Sequence, residues 1–418
     1  MDIIMSLRQT AQDLLERLGL VSSATSGTME RQEPSILDNF LRERKASFLS
    51  DLYAGSANEW IVVTGNEAGD LDSIASAIGY AFLSSDAKII PFIQTKRSDL
   101  HLRPENILAF SLASLDTSHL LTASDIDRGI QAYTCSYILV DHNRILPTCN
   151  GTVLGVLDHH EDEGFHKDAK PRTIQPVGSC ASLVTVHFKQ RLQGATSGEL
   201  ADIATLLLSA ILIDTGGLKA GGKATDVDFE GAELLVPQTG IASTSSMVEI
   251  RKKPPSSLDA LSHRLAQTKS SVDHLSTSDL LRRDYKEYSI AGLQIGLSTV
   301  PIGLKFLVKR DIRGFWSDID SWITDRSLDI LGVLTTYRSK RKNKHRRQLL
   351  FLVRPGREQI EKKLFDGIGD DKELACEERR IAGLGARRGR CWRQGNVKAT
   401  RKTVAPLVRK ILEDSNVE

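Results

Sequence analysis

The stretch LGVLDHHEDE, from Leu154 to Glu163, brings together side chains that could do chemistry. An apolar run ending at Leu157 passes directly into Asp158, His159, His160, Glu161, Asp162 and Glu163. Hard carboxylate oxygens beside imidazole nitrogens are the donor set that a divalent cation takes. The other reading of this stretch is a solvated acidic turn. Three further stretches deliver acids in the same way. In IVVTGNEAGDLDSIASAIGYA (61–81), a β-rich run enters a glycine-bounded loop that presents Asn66, Glu67, Asp70 and Asp72. Its Asp-x-Asp pair projects two oxygens from one loop, and Ser73 is placed to cap the helix that follows. YILVDHN sets Asp141, His142 and Asn143 behind a strand, and LLLSAILIDTGGLK ends an apolar run at Asp214. The two glycines after Asp214 allow backbone to approach a ligand closely. Any one of these acids also reads as a helix N-cap. Four of them, each ending a buried run, are not explained as caps or as surface charge.

Between these stretches lies PVGSCASLVTV, a small-residue turn that opens a helix. Its backbone N–H groups and the hydroxyls of Ser179 and Ser182 suit an anionic oxygen, and an ordinary capped helix start is the alternative.

The elements that must position these groups alternate. Strands are expected at 60–64, 88–92, 137–140 and 153–157, with helices at 36–51, 73–84 and 181–193 and another ending near 213. This βαβα order predicts an α/β domain built on a parallel sheet with helices on both faces. Residues 1–35 read as an N-terminal extension (a helix and then a Ser/Thr/Gly-rich tether), 36–235 as the cation-binding domain, and 236–418 as a smaller α+β domain. Pro237, Pro254 and Pro255 punctuate the segment between the two domains.

Composition narrows the classes. A chain of 418 residues with 26% charged and 40% hydrophobic residues has the balance of a soluble protein with two cores. No apolar run has the length of a transmembrane helix, which excludes a membrane role of that kind. Five cysteines without a CxxC pair suit a reducing compartment, the cytoplasm, and no disulfide framework. The net charge is only +2, yet the last quarter is basic, with RSKRKNKHRR at 338–347 between two expected strands. That run reads as a solvated hairpin loop, with a nuclear-localisation signal or a polyanion track as alternatives. Aromatic residues are only 6% and do not interleave with it, so no specific nucleic-acid recognition is expected.

Taken in order, GNEAGDLDS, VDHN, LDHHEDE, GSCAS and LIDTGG resemble the DHH phosphoesterase superfamily, and RRDYKEY and GNVKATRKTVAPL resemble its companion DHHA2 domain. Family II inorganic pyrophosphatases, cytosolic exopolyphosphatases and prune-type proteins make up this branch. The resemblance implies that Asp70, Asp72, Asp141, His159 and Asp214 ligate two divalent ions. Asn66 stands where the pyrophosphatases carry a metal-binding histidine and where the fungal exopolyphosphatases carry asparagine. An amide in place of imidazole suits Mg2+, a harder ion, with Mn2+ or Co2+ as alternatives. By the same resemblance Asp72, Asp141 and His160 are catalytic, and His160, Lys286, Arg401 and Lys402 join Ser179 in binding substrate. The implied activity is hydrolysis of the terminal phosphoanhydride of inorganic polyphosphate by a cytoplasmic monomer. Rival readings are a manganese-dependent pyrophosphatase, a prune-type nucleotide phosphodiesterase and a non-enzymatic polyanion-binding scaffold.

Overall fold

Apolar runs of strand length separated by helices fold here into two compact units, 1–269 and 270–418. The computed structural model describes residues 35–413 apart from 197, 220, 240, 242–249, 252–254 and 340–343. The helix and tether expected in the N-terminal extension lie outside the described residues.

The first unit opens with α1 (Ile36–Ala54), capped by Ser35, whose hydroxyl accepts from Asp38 N. It continues through β1 (Ile61–Thr64), α2 (Leu71–Leu83), β2 (Ile89–Ile93), α3 (Pro104–Leu112), β3 (Leu121–Thr122), β4 (Cys135–Val140), β5 (Gly151–Asp158) and β6 (Arg172–Ile174). Five helices follow: α4 (Cys180–His187), α5 (Lys189–Gly194), α6 (Ala201–Thr215), α7 (Asp226–Thr239) and α8 (Ser256–Ser270). All six strands are parallel, in the order β3-β2-β1-β4-β5-β6. The pleat sends alternate residues to opposite faces. Val63, Ile138 and Val140 enter a core shared with α2, α3, α4, α6 and α7. Val62, Tyr137 and Leu139 enter a second core with Trp60 and with Phe48 and Leu52 of α1. Both faces are therefore covered, which is why the strands are almost uniformly apolar.

Two expected boundaries move. The segment beginning at Val236 was expected to be linker, but α7 runs through Pro237 to Thr239. The units also part at 269/270, and not at 235/236, because α8 sends Leu258, Leu261 and Leu265 into the first core. The expected helix at 181–193 is in fact two, α4 and α5, divided at Phe188.

The second unit comprises α9 (Thr277–Arg283), β7 (Tyr285–Ile290), β8 (Leu293–Val300), α10 (Leu304–Arg310), α11 (Ile312–Asp325), β9 (Ile330–Arg338), β10 (His345–Val353), α12 (Glu358–Asp370), β11 (Cys376–Arg379), β12 (Gly389–Gln394) and α13 (Arg401–Glu413). Its sheet, in the order β11-β12-β10-β9-β8-β7, is mixed, with β8 and β9 parallel and the other pairs antiparallel. Leu349, Phe351 and Trp392 pack beneath α12 and α13. This is the α+β arrangement expected. Of the basic run expected to be a hairpin loop, Arg338 closes β9 and His345, Arg346 and Arg347 open β10, so these four lie in paired strands, while 340–343 lie outside the described residues. All five cysteines are free thiols. Among the described residues, no helix is long and apolar enough to cross a membrane.

Candidate metal centre

The strand order fixes where a ligand belongs. From β1 the chain builds outward through β2 and β3, and from β4 it builds the other way through β5 and β6. A crevice therefore opens beyond the carboxyl ends of β1 and β4, the switch point at which doubly wound sheets bind ligands. Asn66, Asp70 and Asp72 follow β1, Asp141 follows β4, and Asp158, His159 and His160 lie at the end of β5.

Asp141 is the centre of this group. It is buried and holds φ at 60°, a left-handed conformation uncommon for a residue with a side chain. Its Oδ2 accepts from Asn66 Nδ2 at 2.7 Å and from the Ser73 hydroxyl. Its Oδ1 is buried and accepts no well-formed hydrogen bond, yet it lies 3.1 Å from His159 Nε2 and 3.7 Å from His160 Nδ1. Asp141, His159 and His160 can place one ligand atom each within 4.8 Å of one another. Asp72 adds Oδ2, 3.8 Å from His159 Nε2.

Each ring is held by its other nitrogen or by a neighbour. His159 Nδ1 donates to Val177 O at 3.1 Å, which leaves Nε2 for the centre, the arrangement that orients a ligating histidine. His160 Nδ1 lies 2.8 Å from Asp158 Oδ1, and Asn143 Nδ2 donates to Asp158 Oδ2 at 2.6 Å. Asn66 is unambiguous in orientation. Its NH2 faces two acceptors, Asp141 O and Oδ2, and its Oδ1 accepts from Ala68 N at 2.9 Å. Asn66 thus orients Asp141.

The electrostatics describe carboxylates crowded without enough positive charge. Burial, then repulsion from Asp141, pushes Asp72 up to about 7. Burial raises Asp141 to about 6, with Asp70 adding to it. Asp214, a quarter of whose side chain reaches solvent, is raised to about 7 by its largely enclosed position and by Asp72, against Lys269 Nζ at 4.0 Å. Burial alone would lower His159, but its contacts with Asp141 and Asp72 carry it up to about 10. A buried carboxylate oxygen that meets only the neighbouring imidazoles, converging acids and an aimed imidazole fit a hard divalent cation.

Some groups sit differently from the sequence expectation. Ser73 does not cap α2. The helix begins at Leu71 and Asp70 caps it, accepting from Ser73 N at 3.1 Å, which frees the Ser73 hydroxyl for Asp141. Ser179 is fully buried; its hydroxyl donates to Asp72 Oδ1 at 2.6 Å and its N–H to Asp228 Oδ1 at 3.2 Å. Cys180 N and Ala181 N also donate to Asp72, at 2.7 and 2.8 Å. The α4 N-terminus is thus directed at protein carboxylates. Gly216 ends α6 as its left-handed cap, and a Cβ on Gly217 would meet the Ser262 side chain. Arg103 and Asn106, on the far side, donate to Ala68 O and Gly69 O and steady the loop of Asn66 and Asp70. No sequence motif marked Arg103, Asn106 or Asp228.

In the second unit, Arg401 opens α13 and holds Asp284 through its carbonyl at 2.9 Å and its carboxylate at 2.8 Å. This sets Arg401 beside the start of β7, which carries half-buried Lys286, while Lys402 is exposed.

Residues 60–211 match the profile of the DHH family, N-terminal domain, and residues 263–411 match the DHHA2 domain. A Schizosaccharomyces pombe protein provisionally named as an exopolyphosphatase is 29% identical over 89% of this chain and 96% of its own length. Exopolyphosphatase PRUNE1 of Mus musculus is 32% identical over 66% of this chain, which spans 59% of that longer protein. A manganese-dependent inorganic pyrophosphatase of Methanocaldococcus jannaschii is 26% identical over 57% of this chain and 71% of its own length. A crystal structure from Methanococcus jannaschii, described provisionally as a family II inorganic pyrophosphatase, shares the fold with a TM-score of 0.53 and 19% identity, covering 85% of this chain and 99% of its own.

Proposed function

We propose that this chain, which belongs to the DHH family and carries its DHHA2 companion domain, is an exopolyphosphatase that releases orthophosphate from the end of inorganic polyphosphate. Relatives named exopolyphosphatase and pyrophosphatase support the broader class, a hydrolase of phosphoanhydride bonds. The observation that carries the narrower reading is Asn66. The amide occupies the position that the resemblance gives to a ligating histidine in pyrophosphatases, and here it serves Asp141.

Asp70, Asp72, Asp141, His159 and Asp214 would hold two divalent ions, Mg2+ for preference, whose Lewis acidity lowers the pKa of water and neutralises phosphate oxygens. Asp141 and Asp72 supply buried oxygens for that purpose, and Val177 O keeps His159 Nε2 aimed at them. His160, fixed through Nδ1 by Asp158, keeps Nε2 to give a proton to the departing phosphate chain. Lys286, Arg401 and Lys402 bind phosphate oxygens as fixed positive charge. Ser179 serves the substrate indirectly, by holding Asp72. The protein acts in the cytoplasm as a monomer, where its free thiols stay reduced.

The test is orthophosphate release from long-chain polyphosphate and from pyrophosphate, measured side by side with Mg2+ and then Mn2+. Fast release from polyphosphate alone supports the proposal. The manganese-dependent pyrophosphatase relative favours a second reading, which preference for pyrophosphate with Mn2+ would establish.

A further inference from the structure

We propose that Asp228 is a positioning residue of this centre, holding the Gly178–Ser182 turn so that the turn's donors lock Asp72 in its ligating orientation. The inference rests on the metal-dependent hydrolase reading above.

Asp228 lies in the first turn of α7 and is fully buried. A carboxylate there ordinarily serves its own helix start, and Thr225 does supply two such contacts, N and Oγ1 to Oδ2 at 2.7 and 2.8 Å. Three more donors reach it from a turn about 50 residues earlier in the chain. Gly178 N donates to Oδ2 at 2.9 Å, Ser179 N to Oδ1 at 3.2 Å and the Ser182 hydroxyl to Oδ1 at 2.6 Å. Burial of a carboxylate is costly unless such donors replace water, and here they come mainly from the one turn that touches Asp72.

Ser179 links the two acids. Its N–H goes to Asp228 and its hydroxyl to Asp72. Ala181 N then joins the hydroxyl on Asp72 Oδ1, and Cys180 N takes Oδ2, the oxygen that faces His159. The turn has no slack. A Cβ on Gly178 would stand 2.8 Å from Asp228 Oδ2 and 2.6 Å from the Thr215 methyl, next in the chain to Asp214. Moving Asp228 therefore moves the donors of Asp72 and the packing beside Asp214 together.

The test is calorimetric titration of Mn2+ into the full-length, metal-free protein, well below its melting temperature. Asp228→Asn puts an NH2 against Gly178 N and Thr225 N, donors facing a donor. It should weaken Mn2+ binding by ~10–100-fold, the usual effect of losing a residue behind a metal ligand. Asp125→Asn, at a carboxylate held instead by Lys45, Arg97 and Thr122, is the control: it should lower the melting temperature and leave Mn2+ affinity unchanged. A folded Asp228→Asn protein with wild-type Mn2+ affinity would overturn the proposal. Should that variant fail to fold, Ser182→Ala and Thr225→Val each remove one contact; several-fold weaker Mn2+ binding supports the proposal, and unchanged affinity overturns it. Absence of Mn2+ binding by the wild type would instead overturn the metal reading itself.

Discussion

His159 Nε2 lies 3.1 Å from Asp141 Oδ1, an oxygen that is buried and receives no well-formed hydrogen bond although its carboxylate partner oxygen has two donors. One end of the carboxylate is thus anchored and the other is directed at the cation position. Asp141→Asn tests this division. Asn66 and Ser73 both donate to Oδ2, so the new amide must turn its own NH2 toward His159. Orthophosphate release should fall to background, while circular dichroism and the melting temperature stay close to wild type. Substantial retained turnover would sink the two-ion assignment.

Asn66→Asp makes the complementary change. It is nearly isosteric, but it swaps the donor facing Asp141 Oδ2 at 2.7 Å for a second negative oxygen. Repulsion between the two acids displaces Asp141, and the loss of one charge-assisted hydrogen bond costs about 1.5–3 kcal/mol. We expect a lower melting temperature in metal-free buffer and at least partial recovery with excess Mg2+, since a cation can bridge the pair. Equal loss of stability with and without Mg2+ would place Asn66 outside the centre.

Much of this centre was legible because acids that end apolar runs are local signals. Asp141 behind YILV, and Asp158, His159 and His160 behind GVL, are marked by their own neighbours in sequence. Asp228 is not. In TDVDFEG it looks like any acidic first turn, and only the fold brings Gly178 and Ser182 to it. Arg103 and Asn106 escape for the same reason, since their acceptors are carbonyls that carry no residue identity. The unit boundary was misplaced because the apolar stripe of α8 could dock on either core, and periodicity alone does not choose a partner.

Asp125 gives a pH test on a different set of residues. Burial would raise its pKa, but Lys45 at 2.8 Å, Thr122 and Arg97 at 2.8 Å together hold it at about 2. A folded value below the unfolded 3.8 means the stabilisation is complete above 3.8 and is lost as pH falls toward 2. After allowance for solvent screening, this is worth about 1–2 kcal/mol. Asp125→Asn should therefore destabilise the protein at pH 7 and lose that difference progressively below pH 3.8. Denaturant unfolding of both proteins at several pH values checks it; a gap that persists near pH 2 would mean packing, not charge, is responsible.

The packing of α2 against α6 spaces two of the acids. Asp72 lies near the start of α2 and Asp214 near the end of α6, and these helices pack together where Gly79 meets Leu207. A Cβ at Gly79 would stand 2.8 Å from Leu207 Cδ2, in a fully buried contact. Alanine improves helix propensity by about 0.8–1 kcal/mol, but overpacking a core costs about 1–3 kcal/mol. With Leu207 fully buried and short of room to yield, overpacking should win. Gly79→Ala should thus lower the melting temperature and, by spreading the helices, weaken Mn2+ binding. Adding Leu207→Ala removes the clash, so the double variant should be more stable than the sum of the two single changes predicts. Simple additivity would show that α2 and α6 do not set the spacing of Asp72 and Asp214 through this contact.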